Sequence, residues 1–309
     1  MTGGAGFIGS HVAERLLRDG HRVRVLDNFS SGSRENLAFG VGNPRFEVVE
    51  GDIRDFPATL AAARGAEVIF HQAAMRSVPR SVDDPLGANA NNVTGTLNIL
   101  KAGREAGARR VVYASSSSIY GDRPELPKRE DQAPAPISPY AVSKLAGELY
   151  CAVWSRLFGL ETVALRYFNV FGPRQDPASQ YAAVVPRFIA WALAGEPLEV
   201  HADGTQSRDF TYVDNVVAAN LLAANAPGVS GEAFNVGCGA RVSLLEIIGL
   251  LEGIVGRPLP RHHTPRRAGD VPHTLADIAK AKRLLGYVPV VEFGEGLRRT
   301  VEFFKALTS

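Results

Sequence analysis

The residues of this chain best placed to do chemistry are Tyr140 and Lys144, four apart in Tyr140-Ala141-Val142-Ser143-Lys144. Ser138-Pro139 just before them reads as a helix start, a capping hydroxyl followed by proline at the first helical position. On a helix that spacing puts both side chains on one face, one turn apart. An ammonium beside a phenol favours the phenolate, so a tyrosine of ordinary pKa about 10 is drawn toward working pH and can act as a base. Upstream, the apolar run Val111-Val112-Tyr113-Ala114 opens into Ser115-Ser116-Ser117-Ser118-Ile119-Tyr120-Gly121, whose hydroxyls could bridge to a substrate oxygen. A lone Tyr-x-x-x-Lys pair is most often a solvated helix face. Its value here lies in what precedes it.

The chain opens Thr2-Gly3-Gly4-Ala5-Gly6-Phe7-Ile8-Gly9-Ser10-His11, with glycines at Gly3, Gly6 and Gly9. A tight turn out of a strand needs positive φ, and a pyrophosphate needs close backbone approach; glycine, lacking Cβ, meets both needs. The helix from Ser10 onward then offers free N–H groups and its positive dipole end to phosphate. A glycine triplet alone is as easily an ordinary turn. Here the next strand ends at Leu26-Asp27-Asn28, about 20 residues on, as a dinucleotide fold requires. Asp27 can accept hydrogen bonds from both hydroxyls of an adenosine ribose and would repel a 2′-phosphate, which favours NAD over NADP. Gly51-Asp52-Ile53 follows the next strand, where a carboxylate can meet the adenine amino group. A strand is also expected to lead into Gly3, yet only Met1 and Thr2 stand there. Either the chain begins a few residues into that strand or another segment completes the sheet, because unpaired strands at a sheet's centre are costly.

The elements that must position these groups alternate. Strand candidates are Arg22–Leu26, Arg45–Glu50, Val68–His71, Arg110–Ala114 and Glu161–Arg166; helix candidates are Ser10–Asp19, Phe56–Ala63, Pro85–Glu105 and Pro139–Leu157. This alternation predicts an α/β fold, a Rossmann-like doubly wound parallel sheet with helices on both faces. After Asn169 proline and glycine become frequent, and Ala183–Ala194, Leu244–Val255 and Ile278–Leu285 read as isolated helices. They predict a smaller α/β cap region that binds substrate. The expected division is 1–168 for the nucleotide domain, with 209–236 returning to it, and 169–208 plus 237–309 for the cap.

Composition sets the class. Lys plus Arg number 34 against 32 Asp plus Glu, a net charge of +2 that gives no support for a nucleic-acid partner. Two cysteines, Cys151 and Cys238, make no disulfide framework, so a reducing cytoplasmic setting is the simpler expectation. No signal peptide is visible at Met1-Thr2-Gly3-Gly4. The apolar stretch Leu244–Val255 carries Glu246 and Glu252 and is too short to cross a bilayer, so no membrane role is expected.

The run from Gly3 to Lys144, with Leu165-Arg166-Tyr167-Phe168-Asn169-Val170 and Arg208-Asp209-Phe210, resembles the extended short-chain dehydrogenase/reductase family over nearly the whole chain. Within it the sequence is most similar to UDP-glucose and UDP-N-acetylglucosamine 4-epimerases. The resemblance implies a resident NAD and a Ser-Tyr-Lys triad: Ser116, with Ser117 as near neighbour, then Tyr140 as base and Lys144 as its tuner. It implies cofactor contacts from Gly3, Gly6, Phe7, Ile8, Gly9, Asp27, Asn28, Asp52, Ile53, Gln72, Ala73, Ala74, Asn92, Tyr140, Lys144 and Tyr167. Substrate contacts are implied for Arg76, Ser116, Ser117, Asn169, Val184, His201, Arg208, Arg267, Asp270 and Thr274. Arg208 and Arg267 match positions that clasp the UDP diphosphate, where bidentate guanidinium pairing suits phosphate, and Asp270 one that holds its ribose. Taken alone, Arg266-Arg267 would be a solvated surface pair.

Residue differences within the family narrow the reaction. Related dehydratases and decarboxylases carry a carboxylate just after the serine; Ser117 and Ser118 stand there, which favours 4-epimerisation. Relatives acting on UDP-glucuronate tend to have threonine where Asn169 stands, which points to a neutral hexose. Thr274 fills a gatekeeper position, where a small residue leaves room for an acetamido group. The expected reaction is therefore 4-epimerisation of UDP-glucose and UDP-galactose, with room for the N-acetylated pair, through a 4-keto sugar. Another nucleotide-sugar enzyme on this fold, or a non-catalytic NAD-binding regulator, are the rivals; regulators often lack the Tyr or Lys present here. His71 and His201 each read as packed or partly solvated, and His262-His263 lack further ligands at usable spacing, so no metal is expected. The family pairs the helices at 85–105 and 139–157 across a two-fold axis, which implies a homodimer.

Overall fold

The computed structural model describes residues 1–177, 183–265 and 271–308. Six parallel strand positions form its core. Strands β1 (Val23–Asp27) and β2 (Phe46–Glu50) pair on one side, and β3 (Val68–His71), β4 (Arg110–Ser116), β5 (Glu161–Tyr167) and β6 (Glu232–Val236) run in the order β3-β4-β5-β6 on the other. Met1 and Thr2 join the two halves: Thr2 bridges Leu26 and His71, both in parallel. Its N–H donates to Phe70 O at 3.0 Å, Leu26 N donates to Met1 O at 2.8 Å, and Gly3 N donates to Leu26 O at 2.9 Å. Met1 and Thr2 thus occupy the place of the expected central strand. Below it, a slot of about 560 Å³ runs between β1 and β3, lined by Leu16, Val23, Leu26, Ile69 and Phe70 among others.

Helices cover both faces, as parallel strands buried on two sides require. One layer is α1 (Phe7–Arg18) and α5 (Val213–Asn225); the other is α2 (Phe56–Ala63), α3 (Gly95–Glu105) and α4 (Pro139–Phe158). The expected doubly wound parallel sheet is borne out. The helix expected over Pro85–Glu105 is continuous but not uniform: Pro85–Asn89 is α-helical, Ala90–Thr94 is a π-helical turn, and α3 runs on from Gly95. The chain after Asn169 builds its own core, in which Phe171, Phe188, Ile189, Ile247, Leu251, Leu297 and Val301 are buried together.

Candidate active site

The carboxyl ends of β1, β3, β4 and β5 open into one cavity of about 590 Å³. Open α/β sheets bind ligands in this place, where strand order reverses. At one end lies the glycine turn. Gly3 has φ +67°, and a Cβ there would stand 2.6 Å from Ala73 N; a Cβ on Gly9 would stand 2.1 Å from Gly3 O. A side chain at either position would break the turn. Asp27 ties the turn down through both oxygens, accepting from Ala5 N and Phe29 N at 2.9 Å, and its side chain lines the cavity. Asn28 donates to Asp52 at 2.8 Å, and an Arg54 side-chain hydrogen bond holds the Asp52 carboxyl well below the ordinary carboxylate range.

The candidate reacting groups sit on β4 and α4. The Ser138 hydroxyl caps α4 by accepting from Ala141 N at 3.2 Å, and Tyr140 N donates to Ser81 Oγ at 3.0 Å, so the first turn is fixed from two sides. Ser116 Oγ accepts from both Ser118 N (3.2 Å) and Ser118 Oγ (2.9 Å). Its own proton is left for another acceptor, and the Ser116 hydroxyl pulls the Tyr140 pKa down. Lys144, 4% exposed, donates from Nζ to Ala114 O at 2.8 Å. Beneath them a buried network locks the strand ends. Ser115 donates to Glu148 at 2.9 Å; Glu148 pairs with Arg166 at 2.5 Å; Arg166 reaches the Tyr120 hydroxyl at 2.7 Å.

Burial acts on both members of this pair. Burial raises the Tyr140 phenol above its ordinary value, with the Ser116 hydroxyl and then the Arg76 charge pulling it back. Burial also lowers Lys144 to about 7. Desolvation thus disfavours the charged form of each group. The glycine cradle, the Asp27 carboxylate beside it and the dry Tyr140–Lys144 pair fit a dinucleotide whose nicotinamide end carries positive charge.

The cavity brings together Gly3, Gly6, Phe7, Ile8, Gly9, Asp27, Asn28, Ile53, Gln72, Ala73, Ala74, Arg76, Ser116, Ser117, Tyr140, Lys144, Tyr167, Asn169, Arg208 and Thr274. Asp52 stands beside its rim with Asn28. Asn92 is fully buried away from it: it accepts from Met75 N at 2.7 Å and donates to Ser143 Oγ at 2.9 Å, clamping the loop that carries Arg76 to the catalytic helix. Val184 begins a cap helix, and the His201 ring is held by Thr264 Oγ1 at 2.6 Å; neither lines the cavity. Arg267 and Asp270 lie outside the described residues. Sequence reading missed Gln175, which lines the cavity and whose buried Oε1 has no hydrogen-bond partner among the described residues. No residue pattern marked it; it stands in a loop. Among the described residues no cluster of His, Cys, Asp or Glu could hold a metal ion.

A family model described as the NAD dependent epimerase/dehydratase family matches residues 1–237. The chain belongs to that family. It is 44% identical over 307 residues to a UDP-glucose 4-epimerase of Mycolicibacterium smegmatis, covering 99% of this chain and 97% of that one. A Thermotoga maritima UDP-glucose 4-epimerase solved with UDP-glucose superposes with a TM-score of 0.94 at 38% identity, covering 100% of this chain and 98% of the other. A Methanobrevibacter ruminantium UDP-N-acetylglucosamine 4-epimerase, solved with UDP-N-acetylmuramic acid, gives 0.94 at 37% identity, with 99% and 97% covered. These relatives bear out the expected family, its NAD cofactor and its isomerase chemistry. The glycine turn, Tyr140 and Lys144 line one cavity.

Proposed function

We propose that the protein interconverts the C4 epimers of a neutral UDP-hexose, UDP-glucose and UDP-galactose, and also accepts the N-acetylated pair. The observation that carries this reading is one cavity holding Ser116, Tyr140 and Lys144 between the glycine turn and a polar end formed by Asn169, Arg208 and Thr274. The residues assigned above to NAD and to UDP-sugar are part of the proposal, as is the division into 1–168 with 209–236 for NAD and 169–208 with 237–309 for the UDP-sugar. NAD, when bound, supplies an acceptor and returning donor of hydride at C4, and its ring cation favours the Tyr140 phenolate. Tyr140 takes the proton of the sugar 4-hydroxyl and later gives it back. Ser116, its proton directed by Ser118, shortens that path. Lys144 fixes the neighbouring ribose and relays charge to the phenol. A 4-keto sugar turned over on its pyrophosphate link receives hydride on the other face, so no net oxidation occurs. Asn169 donates to the Thr274 hydroxyl at 3.2 Å, and this pair lines the sugar end with small groups, which supports admission of an acetamido substituent.

The homodimer is part of this reading. Val142, Leu149, Val153 and Leu157 are exposed along one face of α4, with Val82 and Leu86 exposed nearby in the chain segment packed against it. A second copy meeting that stripe would cover it. A reducing cytoplasm is supported by the free thiols of Cys151 and Cys238; among the described residues no helix is long and apolar enough to cross a membrane.

Incubation with UDP-galactose, followed by NMR, is expected to give UDP-glucose; an accumulating keto or pentose product would exclude epimerisation. Tyr140→Phe is expected to lower kcat by about 10²–10⁴-fold with bound NAD retained, and unchanged activity would sink the mechanism. Thr274→Tyr is expected to reduce kcat/KM for the N-acetylated sugar by about tenfold or more relative to the plain one; an unchanged ratio removes the gate.

A further inference from the structure

Asp209 stands where three chain segments meet behind the sugar end of the cavity, and it is fully buried. Ser207 and Arg208 run beside the segment from Val271 to Asp277. Ser207 N donates to Pro272 O at 3.0 Å, Thr274 N donates to Ser207 O at 3.1 Å, and Ser207 bridges His273 in parallel. A parallel ladder carried one step further would take Ala276 N to the carbonyl of Asp209. It goes elsewhere. Ala276 N donates to the Asp209 carboxylate, at Oδ2, 3.1 Å away. The same carboxylate accepts from Cys238 N at 2.7 Å and Gly239 N at 3.0 Å. The Asp209 carbonyl instead accepts the side-chain amide of Asn169 at 3.2 Å, and that amide also reaches the Thr274 hydroxyl. The junction is full: a Cβ on Gly237 would stand 2.6 Å from the Ala276 Cβ and 2.9 Å from Asp209 Oδ2.

We propose that Asp209 is a positioning residue for the sugar. By standing in for its own backbone carbonyl, the carboxylate splays the Thr274 segment from Ser207–Asp209 and sets the width of the sugar end. The released carbonyl aims Asn169. This rests on reading the cavity as a UDP-hexose site. Neither the glycine turn nor the Tyr140–Lys144 pair touches the junction, so a disturbance there acts on substrate and leaves NAD in place.

The test is steady-state kinetics of Asp209→Asn with UDP-glucose and UDP-N-acetylglucosamine, alongside the NAD content of the purified enzyme. Asparagine keeps size and one oxygen but turns an NH₂ toward N–H donors, so KM is expected to rise about tenfold or more while kcat changes little. The kcat/KM ratio of the two sugars is expected to shift as well. Gly237→Ala, which pushes on the same junction without removing a polar group, is expected to raise KM selectively in the same way. It decides the matter if Asp209→Asn fails to fold. Unchanged KM in the variant that folds, or a joint loss of kcat, KM, NAD content and melting temperature in both, overturns the proposal. A wild-type enzyme inert toward every UDP-hexose would instead sink the functional reading itself, and this proposal with it.

Discussion

Replacing Lys144 by methionine is expected to stabilise the NAD-free protein while abolishing turnover. The lysine is 4% exposed, and burial lowers its pKa from 10.5 in the open chain to about 7. Each unit of that difference is worth about 1.4 kcal/mol, so confining this amine costs about 4 kcal/mol at neutral pH. Methionine has similar reach and no charge to desolvate. Against that gain stands the Ala114 carbonyl, which loses its 2.8 Å donor; a buried acceptor left open costs about 1–3 kcal/mol. The net expectation is a gain of roughly 1–3 kcal/mol at pH 7. Between pH 7 and 10.5 the unfolded chain binds the extra proton, so wild-type stability climbs with pH through that window and the variant's advantage shrinks. Urea unfolding of both proteins, stripped of nucleotide, at pH 7 and pH 9.5 measures this. A variant less stable than wild type at pH 7, or an advantage that does not narrow with pH, would refute the reasoning. The lysine is then a place where stability has been surrendered for chemistry.

Gly9→Ala is expected to destabilise the glycine turn by about 1–3 kcal/mol, because the new methyl meets backbone rather than a yielding side chain. Acid release and absorbance should show NAD lost from the purified protein. Glu148→Ala removes one partner of a buried pair and leaves Arg166 uncompensated, at a cost of about 3–5 kcal/mol by urea unfolding; a loss under about 1 kcal/mol would mean the network carries no such weight.

Much of the fold was legible because its signals are local. Val68–His71 and Phe56–Ala63 coincide with the observed strand and helix, and the other expected strands differ from those formed by a residue or two at their ends. Periodicity could not show the π-helical turn at Ala90–Thr94, where Asn92 bonds the distant Met75 and Ser143. Strand β6 is short and its neighbour β5 lies far off in sequence, so Glu232–Val236 gives little warning of itself. The site divides likewise. The glycine turn, Asp27, Ser116, Tyr140 and Lys144 stand at fixed offsets from the strand ends that present them. Positions in the cap depend on how its helices pack, and there Val184 and His201 fall away from the cavity while Gln175 enters it. For Tyr140 and Lys144 spacing reports proximity, and it does not report the burial that raises the one pKa and lowers the other.

The Asn92 clamp has a practical corollary for anyone redesigning this cavity. One buried side chain ties the loop that carries Arg76 to α4, through Met75 N at 2.7 Å and Ser143 Oγ at 2.9 Å, so loop and helix cannot be reshaped independently. A library that varies the loop for a new substrate must hold Asn92 and Ser143 fixed or vary all of them together.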